Sequence, residues 1–257
     1  MSNVIIYGGG TISHVRNHLA LCAPAFGTIA RKLKQLTPLS TLVLTKMASE
    51  TSTIITTEDL REDLKVRLLD PHVKVIILNA AICDFEGSVL GSRSGPHADR
   101  LQSRGGERFM KLTPADKLIG LIKEARPDIF VIGFKTTTGD SEDTQVSKAL
   151  HMGVDLVLAN DVVTRNNIIV GKASCIHRSD RGSCLEFISA IAAEVRGPIL
   201  SETDERIAID IEPNGYLTKT AAFQEALKLA PEGVYDILRW DDWNEGVFWL
   251  TKLKGEF

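Results

Sequence analysis

The residues best suited to chemistry fall into a few clusters along the chain. Near its start, Val4-Ile5-Ile6-Tyr7 runs into Gly8-Gly9-Gly10-Thr11, with Ser13, His14 and Arg16 close behind. Apolar β-formers ending in glycine read as a buried strand leading into a tight turn. Glycine allows backbone N–H groups to approach a ligand closely, so the stretch suits the phosphate of a nucleotide, with Thr11 and Ser13 as further donors. The same residues suit a plain turn between strand and helix, because Ser13 stands where the third glycine of a dinucleotide fingerprint belongs. Further along come Asp84, then Phe134-Lys135-Thr136-Thr137-Thr138-Gly139, then Asn160-Asp161.

The elements that must position these groups follow from periodicity. Strands are expected at Val4–Tyr7, Thr41–Thr45, Val73–Leu78, Asp128–Phe134 and Asp155–Ala159, with short ones at Ile168–Val170 and Ser174–His177. Between them, helical spacing predicts helices over Pro24–Leu36, Thr57–Leu69 (capped by Thr57), Pro114–Ala125 (capped by Thr113), Ser141–Met152 and Leu185–Val195. Strands alternating with helices imply an α/β fold, a doubly wound and mostly parallel sheet covered on both faces. Ligands of such sheets lie beyond the carboxyl ends of the strands, where Gly8–Thr11, Asp84, Lys135 and Asn160-Asp161 all fall. Glu86–Gly106 has no clean period and carries Arg93, Arg100 and Arg104, which suits a long loop or arm bringing cations to a phosphate or carboxylate. From Gly197 the character changes: some strand-like alternation over Glu205–Leu217, a helical stripe over Thr220–Leu229, and all three tryptophans, Trp240, Trp243 and Trp249. The expected division is a main domain over 1–196 and a small C-terminal extension or subdomain over 197–257.

Composition sets limits on partners. The net charge of −3 over 257 residues argues against a general nucleic-acid binder. No apolar run approaches a membrane span, so a cytoplasmic protein is expected. Cys22, Cys83, Cys175 and Cys184 have no C-x-x-C spacing, which points to reduced thiols and no zinc site.

Several enzyme classes drop out. Short-chain dehydrogenase chemistry needs Tyr-x-x-x-Lys, whereas Tyr7, Tyr216 and Tyr235 are followed at that spacing by Thr11, Thr220 and Arg239. There is no G-x-S-x-G elbow and no Walker A sequence. Nucleotide chemistry other than hydride transfer rises by elimination.

Five motifs, in order, resemble those of the phosphopantothenate–cysteine ligase (phosphopantothenoylcysteine synthetase) family. Gly9-Gly10-Thr11 with Val15-Arg16 is similar to its glycine-threonine turn and valine-arginine pair. Asn79-Ala80-Ala81-Ile82-Cys83-Asp84-Phe85 resembles its alanine-rich strand end closing in aspartate and an aromatic. Arg100-Leu101-Gln102-Ser103 resembles its Lys-Ile-Gln-Ser stretch, Ile132-Gly133-Phe134-Lys135 its Val-Gly-Phe-Lys segment, and Ala159-Asn160-Asp161 its Ala-Asn-Asp motif.

The resemblance implies a Rossmann-like ligase-type domain over 1–196 and a role in coenzyme A biosynthesis. CTP or ATP, with Mg2+, activates the carboxylate of 4′-phosphopantothenate as an acyl-nucleotidyl intermediate, and the amine of cysteine then forms the amide. It places Gly8, Gly9, Gly10, Thr11, Asp84, Phe134, Asn160 and Asp161 on the nucleotide, Arg16, Ala81 and Arg104 on the substrate, and Arg100, Asn17 and Lys135 in catalysis, with no metal ligand on the protein. It further implies a homodimer in which the arm reaches the partner subunit. Two positions depart from the family: its asparagine after the valine-arginine pair falls on Ala20, with Asn17 nearby, and its lysine falls on Arg100. The alternative reading is a non-catalytic or specificity-altered homologue that binds a nucleotide or coenzyme A precursor as a sensor or interaction protein.

Overall fold

The computed structural model describes residues 3–90, 94–172 and 176–196, together with the backbone of three further strands, Glu205–Asp210, Tyr235–Asp242 and Val247–Lys252. In chain order the main elements are β1 (Val4–Gly10), β2 (Ile12–Arg16), β3 (Leu19–Cys22), α1 (Thr28–Leu36), β4 (Thr41–Leu44), α2 (Thr57–Leu68), β5 (Val75–Ala81), β6 (Phe85–Val89) and β7 (Met110–Pro114). There follow α3 (Leu118–Ala125), β8 (Phe130–Thr137), α4 (Glu142–Leu150), β9 (Leu156–Asp161), β10 (Asn167–Gly171), β11 (Ile176–Arg178) and α5 (Arg181–Arg196).

Seven strands form the central sheet in the order β11-β10-β9-β8-β5-β1-β4. From β4 to β9 every pairing is parallel, and β10 and β11 extend that edge antiparallel. Taken alone, the parallel strands run second, first, third, fourth, fifth along the sheet, so the direction of winding reverses between β1 and β5. That reversal opens a crevice at the carboxyl ends of the two strands, the usual ligand position in a doubly wound fold.

The strand runs are almost uninterruptedly apolar because both faces are covered. Ile5, Tyr7, Ile76, Leu78, Val131 and Val157 pack with Leu60 and Leu64 of α2 and Leu118 and Ile122 of α3. Val4, Ile6, Val75, Ile77, Ile132 and Leu158 pack on the other side with Ala30 and Leu33 of α1 and Ile188 and Ala192 of α5. Alternation along each strand therefore assigns every residue near its carboxyl end to the α1/α5 face or to the α2/α3/α4 face.

Several boundaries differ from the sequence expectation. The helix expected from Pro24 begins at Thr28, after Gly27 at φ 71°, and a β2–β3 hairpin fills the space before it. Ile12–Arg16 and Leu19–Cys22 are short segments that gain strand structure only by pairing with each other. Thr56, not Thr57, caps α2: its hydroxyl accepts from Asp59 N–H while Asp59 Oδ2 accepts from Thr56 N–H, a closed capping box. The expected helix over Pro114–Ala125 begins only at Leu118, because Met110–Pro114, beyond the stretch read as loop, pairs with Phe85–Val89 at its start. Ser141 caps α4, and Gly153 follows that helix at φ 68°, a left-handed conformation suited to glycine. The short strand expected at Ser174–His177 is seen as Ile176–Arg178.

Glu205–Asp210, Tyr235–Asp242 and Val247–Lys252 form a separate antiparallel sheet, the last of them in the centre. Two of these strands were not expected from the sequence. The helix expected at Thr220–Leu229, and Arg93, Cys175 and Trp243, lie outside the described residues.

Candidate functional site

Gly10 and Ala81 are register partners at the carboxyl ends of β1 and β5, and Thr11 N–H continues the ladder by donating to Ala81 O at 3.0 Å. These strand ends lead into the crevice, whose lining begins at Ile12 and Cys83. Around it stand three added pieces: the β2–β3 hairpin, the β6–β7 hairpin and the N-terminal turn of α2. Together they enclose a cavity of about 550 Å³ lined by Ser13, His14, Thr56, Thr57, Arg61, Cys83, Phe85, Glu86 and Ser88, among others. Arg61 pairs with Glu58 at 3.0 Å and lies 3.6 Å from Asp116. Arg61, Thr56 and the hairpin walls were not among the expected site residues. Their signal was the hydroxyl pair opening a helix with acidic residues in its first turn.

The three glycines are covered by the chain itself. A Cβ at Gly8 would lie 2.3 Å from Ala30 Cβ; at Gly9, 2.2 Å from Thr45 Oγ1; at Gly10, 2.1 Å from Ala23 O. They let α1 and the segment before it lie directly on the strand, which is a packing requirement. Thr11 is buried, and its hydroxyl meets Thr57 Oγ1 at 3.0 Å, Ala81 O at 3.3 Å and Cys83 N–H at 3.2 Å. Those contacts tie β1, α2 and the end of β5 together at the crevice. Burial pushes the Cys83 thiol up, and Cys22, Cys83 and Cys184 are all free.

The parallel strands divide the other expected residues between two faces. Gly8, Gly10, Ala81, Phe134 and Asn160 have the parity of the α1/α5 face, where Phe134 packs against the core. Asn160 Oδ1 accepts from Thr136 Oγ1 at 3.5 Å on that side. Gly9, Lys135 and Asp161 have the opposite parity, and Lys135 lines a shallow cleft with Ser147 and His151 of α4. The structure thus places Phe134 and Lys135, adjacent in sequence, on opposite faces of β8.

Asp161 is fully buried and is an organiser of loops. Its carboxylate accepts from Thr137 Oγ1 at 2.8 Å and from the N–H groups of Gly139 and Asp140 at 3.0 Å, Val163 at 2.9 Å and Thr164 at 2.8 Å. Burial by itself raises its pKa; the donors, Thr164 N–H foremost, more than offset this and hold the carboxyl far below the usual range. The loops after β8 and β9 are fixed to each other through this one side chain. Asp84 is exposed and ion-paired with Lys117 at the start of α3.

Arg16 is 5% exposed; its Nη1 donates to Asp99 O at 2.8 Å, while Nε and Nη2 have no partner. A buried guanidinium with free donors and, among the described residues, no ion-paired carboxylate is electrostatically ready for an anion. Asn17 is exposed at the β2–β3 turn, and Arg100 and Arg104 are exposed on the arm between β6 and β7. Among the described residues no group of three His, Cys, Asp or Glu side chains is placed to hold a metal ion, and no helix is long and apolar enough to cross a membrane.

A mostly parallel, doubly wound sheet with polar groups gathered at its winding reversal defines a Rossmann-like ligand-binding domain. The family described as DNA/pantothenate metabolism flavoprotein C-terminal domain matches residues 28–184, more than half of the chain, and the chain belongs to this phosphopantothenate–cysteine ligase family. The coenzyme A biosynthesis bifunctional protein CoaBC of Thermococcus kodakarensis is 34% identical over 109 residues, 41% of this chain and 25% of that protein. The match therefore spans about a quarter of that relative's length. Among solved structures, the DNA/pantothenate metabolism flavoprotein from Streptococcus pneumoniae superposes with TM-score 0.63 at 22% identity, covering 76% of this chain and 100% of that one. A Cab2 variant in complex with phosphopantothenate-cysteine superposes with TM-score 0.52 at 16% identity, covering 75% and 85%. At these identities the structural likeness is one of fold.

Proposed function

We propose that the chain is a nucleotide-dependent ligase of coenzyme A biosynthesis, joining 4′-phosphopantothenate to cysteine with CTP or ATP and Mg2+. The observation that carries this reading is the meeting of Gly10 and Ala81 at the β1–β5 winding reversal, with Phe134 and Asn160 on the same face, in a chain of this family. Gly8, Gly9 and Gly10 keep the end of β1 packed on its own chain so that the turn at Thr11 borders the nucleotide, and Asp84 and Asn160 offer polar edges to its sugar and base. Asp161 holds the loops that border the nucleotide.

In the first step a carboxylate oxygen of phosphopantothenate attacks the α-phosphorus; an O–P bond forms, the bond to the pyrophosphate group breaks, and pyrophosphate leaves. In the second, the amine nitrogen of cysteine attacks the activated carbonyl; a C–N bond forms, the C–O bond breaks, and the nucleoside monophosphate leaves as the amine loses its proton. The nucleotide, phosphopantothenate and pyrophosphate are anionic, so much of the work of the protein is to gather and neutralise charge. Arg16 and Arg104 serve the substrate's phosphate, with Ala81 leaving room beside it. Arg100 offsets charge on the reacting phosphorus, Lys135, on the other face of β8, adds positive charge from the α4 side, and Asn17 supplies an amide near Ala20. Mg2+ travels with the nucleotide's phosphates and shields their charge.

A homodimer in the cytoplasm completes the reading, with no nucleic-acid or membrane partner. The β6–β7 hairpin supports it, because Phe109, Met110 and Leu112 are exposed there beside the arm; sedimentation as a monomer at micromolar concentration would count against it.

The decisive experiment is pyrophosphate release by the purified protein with Mg2+, 4′-phosphopantothenate, cysteine and either CTP or ATP. Release that requires phosphopantothenate, with the amide product seen by mass, supports the ligase and names its nucleotide. Nucleotide binding without release overturns it in favour of a non-joining homologue.

A further inference from the structure

The arm bearing Arg100 is docked on the β2–β3 hairpin. Gly95 N–H donates to Val15 O at 3.0 Å, Asn17 N–H to Ala98 O at 3.4 Å, and Leu101 N–H to His18 Nε2 at 3.3 Å, while Arg16 Nη1 donates to Asp99 O at 2.8 Å. Ala98, 4% exposed, pins the contact.

Two of these bonds bracket one residue. The Asp99 carbonyl belongs to the peptide group before the Arg100 Cα, and the Leu101 N–H belongs to the peptide group after it. Peptide groups are planar, so the orientations of the two flanking planes set φ and ψ of Arg100 and hence the direction in which its side chain leaves the backbone. One plane is held by the buried guanidinium of Arg16 and the other by the ring of His18. Both holders sit on the same hairpin, which also forms a wall of the crevice.

We propose that His18 is a positioning residue for the reaction: by accepting the Leu101 N–H it fixes the backbone from which the Arg100 side chain departs. This rests on Arg100 acting on the reacting phosphorus. The imidazole touches no reactant; its requirement is a lone pair on Nε2 at the right height above the arm.

The test uses the full-length protein and two variants, His18→Leu, which keeps bulk and loses the acceptor, and His18→Gln, which keeps an acceptor oxygen. The first readout is the initial rate of tryptic cleavage at the Arg100–Leu101 bond, which follows opening of that segment. The second is the split between kcat and KM in the pyrophosphate assay. His18→Leu is expected to raise cleavage about fivefold, the scale of one net hydrogen bond, and to lower kcat with KM for phosphopantothenate unchanged. His18→Gln is expected to restore both. Unchanged cleavage in His18→Leu, or faster cleavage with unaltered kcat, overturns the proposal. A wild-type protein without turnover overturns the ligase reading instead, and the cleavage rates then decide the arm contact by themselves.

Discussion

Gly10 lies in register with Ala81, and a methyl group added to Gly10 would sit 2.1 Å from Ala23 O and 2.6 Å from Met47 Sδ. The end of β1, where the crevice begins, is therefore pressed against its own chain.

Gly10→Ala should accordingly destabilise the fold by about 1–3 kcal/mol, the usual range for overpacking, read as a lower urea midpoint with an unchanged slope. Gly120→Ala is the control: it lies in α3 with nothing within 4 Å of the added methyl, so it should be neutral or stabilising by up to about 1 kcal/mol. Equal midpoints for the two variants would sink the packing account of the glycine run.

Thr56→Ala removes the acceptor for Asp59 N–H at 3.1 Å and opens the capping box. A loss of about 1 kcal/mol is expected, checked by chemical denaturation. Thr56→Ser keeps the hydroxyl and should recover most of it.

For Asp161 the expected signature is in pH. Its native pKa is depressed, so the stability from its ionised form is fully present above the unfolded value of about 4 and is lost as pH falls through the native one. Asp161→Asn should therefore be less stable than wild type at neutral pH, by a difference that begins to shrink below about pH 4 and closes at lower pH. A difference independent of pH in acid would refute the charge-based account. The loops after β8 and β9 should also become easier to cleave in Asp161→Asn.

Arg100→Ala should lower turnover by about 100- to 1,000-fold, the scale for losing one preorganised charge partner at a transition state, with a smaller change in KM. Arg100→Lys should retain measurable turnover, since it keeps the charge and changes the geometry of the donors. Both are read by pyrophosphate release. Undiminished turnover in Arg100→Ala would remove the arm from the mechanism.

Much of the fold was legible in the sequence because its strands are continuous apolar runs and its helices carry clear stripes: Val75–Leu78, Leu60 with Leu64, Ile188 with Ala192. Local pattern suffices where both faces of a strand are buried. The motifs at Gly8–Thr11, Asn79–Phe85 and Asn160-Asp161, read together, also pointed to the family that residues 28–184 match.

Tertiary structure alone decided the rest. Ile12–Arg16 and Leu19–Cys22, like Phe85–Val89 and Met110–Pro114, lie outside the alternation of buried strands and helices and become strands through cross-strand partners. Parity along β8 separated Phe134 from Lys135, a division that neighbouring positions in a sequence conceal. The glycine run reads locally as a phosphate turn, yet its close contacts come from Ala30, Thr45 and Ala23. The grip of Arg16 and His18 on the two peptide groups flanking Arg100 joins residues more than eighty positions apart. Hydrophobic periodicity is a property of neighbours in the chain, whereas that grip exists only after the hairpin and the arm have met.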